Sequence, residues 1–251
     1  MAVETMNRKT ALITGATGSV GSEIALLFAE NNINLILHYN SNTEKALEIK
    51  RRCEARDVDV AIFQADISLL VDIDELFNKI KTNILQPNIL INTVGKAFYG
   101  LIQDVDYQNW DQLIRTNIMS AYFCTQRVLP GMIANKYGRI INISSIWGEI
   151  GSANESLYSL TKGALNSLTK SLAKELGPSG ITVNAIAPGV VPSKMNDCFS
   201  QDELRALSEE IPLHRFSKSI EIAQTALHLV HDNSEYITGQ IITIDGGFSL
   251  V

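Results

Sequence analysis

The sequence has few cysteines, and their spacing excludes the usual cysteine-based sites. Three are present in 251 residues, Cys53, Cys124 and Cys198, and they lie far apart without any Cys-x-x-Cys pair. Such spacing indicates reduced thiols, with neither a disulfide framework nor a zinc cluster. We therefore expect no metal site, and we expect a cytoplasmic location.

The sequence also lacks long apolar runs and an excess of positive charge. No apolar run approaches the roughly 20 residues of a membrane-spanning helix, and charged residues interrupt the short apolar stretches at the N-terminus, unlike a signal peptide. The formal net charge of −6 argues against nucleic acid or an anionic membrane as a partner. With 45% hydrophobic residues, the composition predicts a globular protein with a sizeable core.

Short apolar runs alternate with amphipathic stretches along the chain. Nearly all-apolar centres are typical of parallel strands that are covered on both faces, and the runs are Ala11–Thr14, Leu35–Tyr39, Val58–Ala65, Ile89–Asn92, Ile140–Ile143, Thr182–Ile186 and Gln240–Ile244. Helical periodicity covers Trp110–Ala134, Leu157–Leu176 and Ile222–Val230. This alternation predicts an α/β fold, a single Rossmann-type domain over residues 1–251. Its core is a doubly wound parallel seven-stranded sheet with helices on both faces. The stretch around 190–213 interrupts this alternation of strands and helices and is predicted to be a substrate lid.

A glycine-rich loop joins the first predicted strand to a helix. The loop is Gly15-Ala16-Thr17-Gly18-Ser19-Val20-Gly21. Glycine lets the backbone turn tightly and approach a pyrophosphate, and the helix N-terminus offers free N–H groups. A plain strand–helix turn is the alternative interpretation. We predict that Gly15, Thr17, Ser19, Val20 and Gly21 bind a dinucleotide.

The residues after the second and third runs bear on which dinucleotide binds. An acidic residue after the second strand would bond the adenosine ribose and repel a 2′-phosphate. This chain has Tyr39, Asn40 and Ser41 there instead, which favours NADP(H), with NAD(H) left open because no Arg or Lys stands at that strand end either. Asp66, followed by Ile67, can accept from an adenine amino group or equally cap the next helix.

Three further side chains are arranged for carbonyl chemistry. Tyr158 and Lys162 are spaced i, i+4 on a predicted helix, and Ser145 follows a predicted strand thirteen residues earlier. A carbonyl that receives hydride needs a proton donor, and a nearby ammonium is expected to lower the phenol pKa of Tyr158. A serine hydroxyl can hold the substrate oxygen. The three groups predict a hydride-transfer site beside a nicotinamide.

The sequence resembles the short-chain dehydrogenase/reductase family along essentially its whole length. The matching pieces are Thr14-Gly15-x-x-x-Ser19-x-Gly21, Asp66, Asn92-x-x-Gly95, Asn117, Ser145, Tyr158-x-x-x-Lys162, Pro188-Gly189 and Asp245-Gly246-Gly247. The resemblance implies that Tyr158 is the general acid/base and that Lys162 binds the nicotinamide ribose and tunes Tyr158. It also implies that Ser145 orients the carbonyl and that Asn117 helps to hold a water in the proton relay.

The same resemblance implies further contacts and shows some departures. Cofactor contacts are expected from Asn92, Val94, Gly95, Pro188, Gly189, Val191 and Ser193, and a substrate contact from Trp147 beside Ser145 and Tyr158. Ser19 stands in place of the usual middle glycine, Val94 in place of alanine, and Ser193 where threonine is common. Phe98, Tyr99, Met195 and Phe199 are expected to flank the pocket mouth.

Within the family, the chain is most similar to beta-ketoacyl-[acyl-carrier-protein] reductases. The stretches Asn117–Pro130, Gly138–Ser145, Gly180–Asn184 and Tyr236–Gln240 carry this similarity. It implies NADP(H)-dependent reduction of a 3-oxoacyl thioester, with a carrier-bound or small-molecule substrate, a role in fatty acid or polyketide biosynthesis, and a homotetramer. Ser179 stands where those reductases often have a basic residue. The alternatives are a reductase or dehydrogenase of a free small ketone, sugar or polyketide-type alcohol, and a non-catalytic dinucleotide-binding regulator.

Overall fold

The computed structural model of the protein describes residues 8–193 and 200–250. Its strands are β1 (Thr10–Thr14), β2 (Asn34–Tyr39), β3 (Val60–Gln64), β4 (Ile89–Asn92), β5 (Gly138–Ile143), β6 (Ile181–Pro188) and β7 (Ile241–Ile244). Within the described residues, these strands pair in parallel in the order β3-β2-β1-β4-β5-β6-β7. The order reverses between β1 and β4, so the predicted doubly wound, seven-stranded sheet is confirmed.

Helices cover both faces of this sheet. They are α1 (Ser19–Glu30), α2 (Thr43–Glu54), α3 (Leu70–Lys81), α4 (Tyr107–Leu113), α5 (Ser120–Asn135), α6 (Trp147–Ile150), α7 (Ser156–Leu176), α8 (Gln201–Glu210) and α9 (Ser219–Val230). Because side chains alternate along a strand, Ala11 and Ile13 pack with α1, α2 and α9, while Leu12 packs on the other face with α3, α5 and α7. The central strands are therefore buried on both sides, as their all-apolar runs indicate.

The structure corrects two boundaries that were predicted from periodicity. The run Val58–Ala65 contains a shorter strand, Val60–Gln64, at the sheet edge, where its side chains are partly exposed. The predicted helix Trp110–Ala134 begins earlier, at Tyr107, and a π-helical turn over Ile114–Met119 interrupts it before α5. A π turn inserts one residue into the helical repeat, and an apolar pattern shows such an insertion poorly.

The segment around 190–213 that is predicted to be a lid contains α8, which begins in a capping box at Ser200. Ile211 after α8 is buried, whereas the helix itself buries no residue completely. The predicted pocket residues Met195 and Phe199, and also Cys198, lie outside the described residues. Cys53 and Cys124 are buried free thiols. Across residues 8–193 and 200–250, no helix combines the length and apolar character that crossing a bilayer requires.

Candidate active site

A cavity of about 760 Å³ opens where the carboxyl ends of the parallel strands meet. It is lined by most of the residues that the sequence predicts for cofactor and substrate: Gly15, Thr17, Ser19, Val20, Gly21, Asn40, Ser41, Asp66, Ile67, Val94, Gly95, Ser145, Trp147, Tyr158, Lys162, Pro188, Gly189, Val191 and Ser193. Three residues predicted for the cofactor or catalytic site lie outside this lining and are described below: Tyr39, Asn92 and Asn117. Phe98 and Tyr99, which were expected to flank the pocket mouth, are also absent from the lining. Ligands of doubly wound sheets bind at this edge.

The glycine loop is shaped to receive an anion. Gly15 has a φ of +66°, and the Gly18 N–H donates to its carbonyl at 2.9 Å. A Cβ at Gly21 would lie 2.5 Å from the Gly15 carbonyl oxygen, so only glycine lets α1 start this close to β1. The first N–H groups of α1 have no acceptor within the helix, and Gly18 provides no side-chain cap. These free donors at a positive helix end fit the pyrophosphate of a dinucleotide.

The residues after β2 and β3 form the far end of the cavity. Asn40, Ser41 and Lys45 line it, whereas Tyr39 is buried in the strand with 6% of its surface exposed. The Asp66 carboxylate accepts from the N–H and hydroxyl of Ser68 at 3.0 and 2.7 Å while also lining the cavity. The carboxylate of Asp66 therefore holds the turn before α3 but does not cap that helix, whose N-cap residue is Leu69 without a side-chain cap, so the helix-capping interpretation is wrong.

The exit of β4 passes directly beside the glycine loop. A Cβ at Gly15 would lie 2.9 Å from Cγ2 of Val94, so the valine side chain that replaces the common alanine packs against the loop backbone. Asn92 is buried, and its amide donates to Asn142 Oδ1 at 2.9 Å. Asn92 thus ties β4 to β5 beneath the cavity.

Ser145, Tyr158 and Lys162 converge on the cavity from β5 and α7. All three are buried, at 7%, 9% and 3% exposure, and all three line the cavity. The Lys162 ammonium donates to the Ile143 carbonyl at 2.9 Å and lies 5.6 Å from the Tyr158 ring centroid. The Ser145 hydroxyl accepts from the Trp147 N–H at 3.2 Å. A serine, a phenol and an ammonium therefore share one pocket with the glycine loop.

Burial dominates the ionisation of the two titratable groups. It raises the pKa of Tyr158; hydrogen bonding with Ser145 acts in the opposite direction, and the charge of Glu155 adds to the rise. Burial also lowers the pKa of Lys162 to about 8. The expectation that the ammonium lowers the phenol pKa is wrong for this structure, because desolvation of the phenolate outweighs any such attraction. The Tyr158 phenol is therefore protonated throughout the neutral range, as a proton donor must be.

Asn117 lies in the π-helical turn and forms hydrogen bonds to two segments beside the site. Its Nδ2 donates to the Lys96 carbonyl and to Thr161 Oγ1, both at 2.9 Å, and its Oδ1 accepts from the Lys96 N–H at 2.8 Å. Thr161 Oγ1 in turn donates to the Tyr158 carbonyl at 2.7 Å. Asn117 is fully buried and joins the β4 exit to the turn of α7 that carries Tyr158.

Several lining residues were missed from the sequence. They include His38, Ser68, Thr93, Lys96, Gln112, Thr116, Glu155 and Leu207. Glu155 is half-buried, and burial raises its pKa although Ser152 donates to it at 3.3 Å. Its spacing of three residues from Tyr158 is the signal that could have identified it. The Trp147 ring lies edge-on to Phe248, with centroids 5.6 Å apart, and forms another wall.

The comparisons with known proteins agree with this geometry. The family model described as Enoyl-(Acyl carrier protein) reductase matches residues 15–249. The chain is 42% identical over 242 residues to the uncharacterized oxidoreductase YmfI of Bacillus subtilis (strain 168), covering 96% of this chain and 98% of that protein. It is 36% identical over 239 residues to the 3-oxoacyl-[acyl-carrier-protein] reductase FabG of a Staphylococcus epidermidis strain, covering 95% and 98%.

Among solved structures, acetoin dehydrogenase from Enterobacter cloacae matches with a TM-score of 0.90 and 29% identity, over 98% of this chain and 97% of that one. The family model and these relatives span nearly the whole domain, including both the glycine loop and the Tyr158 helix. The chain therefore belongs to the short-chain dehydrogenase/reductase family and is an NAD(P)-dependent oxidoreductase.

Proposed function

We propose that the protein is an NADP(H)-dependent reductase that converts a 3-oxoacyl thioester, carried by an acyl carrier protein or an equivalent small thiol, to the 3-hydroxy form. The observation that carries this proposal is the convergence of Ser145, Tyr158 and Lys162 on the cavity that the glycine loop lines. The similarity to a 3-oxoacyl-[acyl-carrier-protein] reductase at 36% identity supports the substrate class.

The proposed chemistry assigns each side chain one task. A bound nicotinamide supplies the hydride. Ser145 donates a hydrogen bond to the substrate oxygen and holds it beside the Tyr158 phenol. Tyr158, which burial keeps protonated, donates its proton to that oxygen as the alkoxide develops. Lys162 holds the cofactor ribose near Tyr158. Asn117 fixes the position of the β4 exit relative to α7 through its hydrogen bonds to both.

The adenosine end of the cavity supports NADP(H) over NAD(H). Asn40, Ser41 and Lys45 line it, and no carboxylate follows β2 directly. A carboxylate there would repel a 2′-phosphate, whereas the Lys45 ammonium attracts one. Asp66 lies after β3, where it can serve the adenine ring.

Two observations favour a second candidate, the reduction of a free small ketone. The acetoin dehydrogenase structure matches this fold over nearly its whole length. Glu155 also places a carboxylate in the substrate part of the cavity, where it can accept a hydrogen bond from a hydroxyl group next to a carbonyl.

A substrate comparison tests both candidates. NADPH and NADH oxidation is followed at 340 nm with acetoacetyl thioesters of coenzyme A and of acyl carrier protein, and with acetoin, simple ketones, sugars and quinones. We expect a kcat/KM at least tenfold higher for an acetoacetyl thioester with NADPH than for any free ketone. A preference for acetoin or another free ketone would establish the second candidate. Cofactor binding without turnover of any substrate would identify a regulator instead.

A further inference from the structure

His38 is a buried polar residue that no role described so far includes. It is the penultimate residue of β2, with 1% of its surface exposed, and it lines the cavity between the glycine loop and the exit of β3. A buried imidazole must have both ring nitrogens satisfied, and this one has partners on two different elements.

Each ring nitrogen of His38 contacts the main chain of a cofactor-binding segment. The Gly15 N–H donates to Nδ1 at 3.1 Å, and Nε2 lies 3.0 Å from the Ala65 carbonyl oxygen. The His38 carbonyl also accepts from the Ala16 N–H at 2.9 Å. One residue therefore connects the phosphate-binding loop to the strand end that precedes Asp66.

These two bonds require one protonation state. A backbone N–H can only donate, so Nδ1 must carry the lone pair that accepts from Gly15. A carbonyl can only accept, so Nε2 must carry the proton. The ring is therefore neutral, and a second proton on Nδ1 would set two donors against each other at the base of the glycine loop.

The surroundings of the ring favour this neutral form. Burial lowers the pKa of His38, against the opposing effects of the Ala65 bond and of the charge of Asp66, which follows β3. Asp72 of α3 accepts from the Asp66 N–H at 3.1 Å, and Lys45 of α2 lines the same cavity. The glycine loop presents backbone and uncharged side chains to the cavity, and the β4 exit adds one charged side chain, that of Lys96.

We propose that neutral His38 is a positioning residue for cofactor binding, which holds Gly15 in the conformation that receives the pyrophosphate, and that its protonation releases the loop and weakens dinucleotide binding. Gly15 is otherwise held by the Gly18 N–H and the Thr93 hydroxyl, which donate to its carbonyl at 2.9 and 3.4 Å, and by packing against Val94. These contacts leave its N–H to His38. Cofactor affinity is thereby linked to pH through a residue that touches neither the substrate nor the reacting atoms.

Two substitutions test the two hydrogen bonds of the His38 ring one at a time. His38→Asn places an amide oxygen near the position of Nδ1, so it keeps an acceptor for Gly15 and does not titrate. His38→Gln places its amide near the position of Nε2, so it keeps a donor for Ala65 and loses the acceptor. His231→Asn, at an exposed position after α9, is the matched control.

The dissociation constants of NADPH and NADH are measured by fluorescence from pH 8 to pH 5 for all four proteins. We expect His38→Gln to bind about tenfold more weakly than the wild type at pH 8, and His38→Asn to bind within about threefold. Once the pH falls below the lowered pKa of His38, the wild type and His231→Asn lose affinity, by up to about tenfold per pH unit, relative to the non-titrating His38→Asn. Because the 2′-phosphate of NADPH titrates near pH 6 in every variant, only the differences between proteins are interpreted.

A second measurement keeps the test valid if the variants do not fold. Nitrogen-15 NMR of the wild-type histidines reports directly which ring nitrogen is protonated. For buried His38 we expect a proton on Nε2 and none on Nδ1. Calorimetry of NADH binding, which involves no 2′-phosphate, in buffers of different ionisation enthalpy should show proton release at pH 5.5 but not at pH 8. A protonated Nδ1 at pH 7, or equal pH profiles for the wild type and His38→Asn, would overturn the proposal. Neither outcome depends on which substrate is reduced.

Discussion

The buried charge of Lys162 should lower the free energy of unfolding at neutral pH, compared with a variant that has an uncharged side chain at this position. The side chain is 3% exposed, and burial lowers its pKa from 10.5 to about 8. At about 1.36 kcal/mol per pKa unit, this lowering corresponds to roughly 3 kcal/mol lost from the free energy of unfolding while the ammonium is charged. The substitution Lys162→Met removes the charge and keeps most of the apolar length.

The sign and pH window follow from proton linkage. Above pH 8 the native state loses the Lys162 proton, while the unfolded chain keeps it up to pH 10.5. The free energy of unfolding of the wild type therefore increases as the pH rises through this range. We expect the wild type to gain about 2 kcal/mol relative to Lys162→Met between pH 8 and pH 9.5. At pH 7, Lys162→Met should be more stable by roughly 2 kcal/mol, after about 1 kcal/mol is subtracted for the lost bond to the Ile143 carbonyl.

Urea denaturation followed by circular dichroism, at one protein concentration and at pH 7, 8 and 9.5, measures both quantities. Lys170→Met, at an exposed position of the same helix α7, is the matched control and should show a pH-independent difference from the wild type. Other groups that titrate at alkaline pH, such as Cys53, are common to all three proteins and cancel in the differences. A stability difference between the wild type and Lys162→Met that stays constant from pH 7 to 9.5 would refute the reasoning.

The remaining predictions concern catalysis, packing, cofactor choice and assembly. Tyr158→Phe should lower kcat by at least a hundredfold while the cofactor dissociation constant changes less than threefold, because only the proton donor is lost; retained turnover in steady-state assays would remove Tyr158 from this role. Gly148→Ala would place a Cβ 2.6 Å from the Lys162 backbone carbon, so thermal denaturation should show about 1–3 kcal/mol of destabilisation, whereas Gly131→Ala, with open space around it, should be neutral or slightly stabilising. Because Asn40 stands where a ribose-binding acid is usual, kcat/KM should be higher with NADPH than with NADH, and equal values would count against NADP(H). The resemblance to the family predicts a homotetramer, which light scattering should detect at four times the 27.6 kDa chain mass.

The fold was accessible from sequence because each element is encoded locally. Parallel strands buried on both faces need unbroken apolar runs, and helices packed on one side need apolar residues three and four apart, as at Ile73, Leu76, Phe77 and Ile80, which are all buried. The glycine loop and the Tyr158–Lys162 spacing were equally visible, because a turn that needs glycine and two side chains on one helical face are properties of a few neighbouring residues.

What the sequence by itself determined was therefore the order of strands and helices, the family, and the short motifs that form the cavity. Only the tertiary structure decided how those motifs act on one another. His38 gave no local signal, since its partners Gly15 and Ala65 are 23 and 27 residues away. The raised pKa of Tyr158 and the lowered pKa of Lys162 are consequences of burial by other elements of the fold, and the residue spacing alone had suggested the opposite for the phenol. Desolvation depends on everything that surrounds a group, so it exists only once the chain has folded.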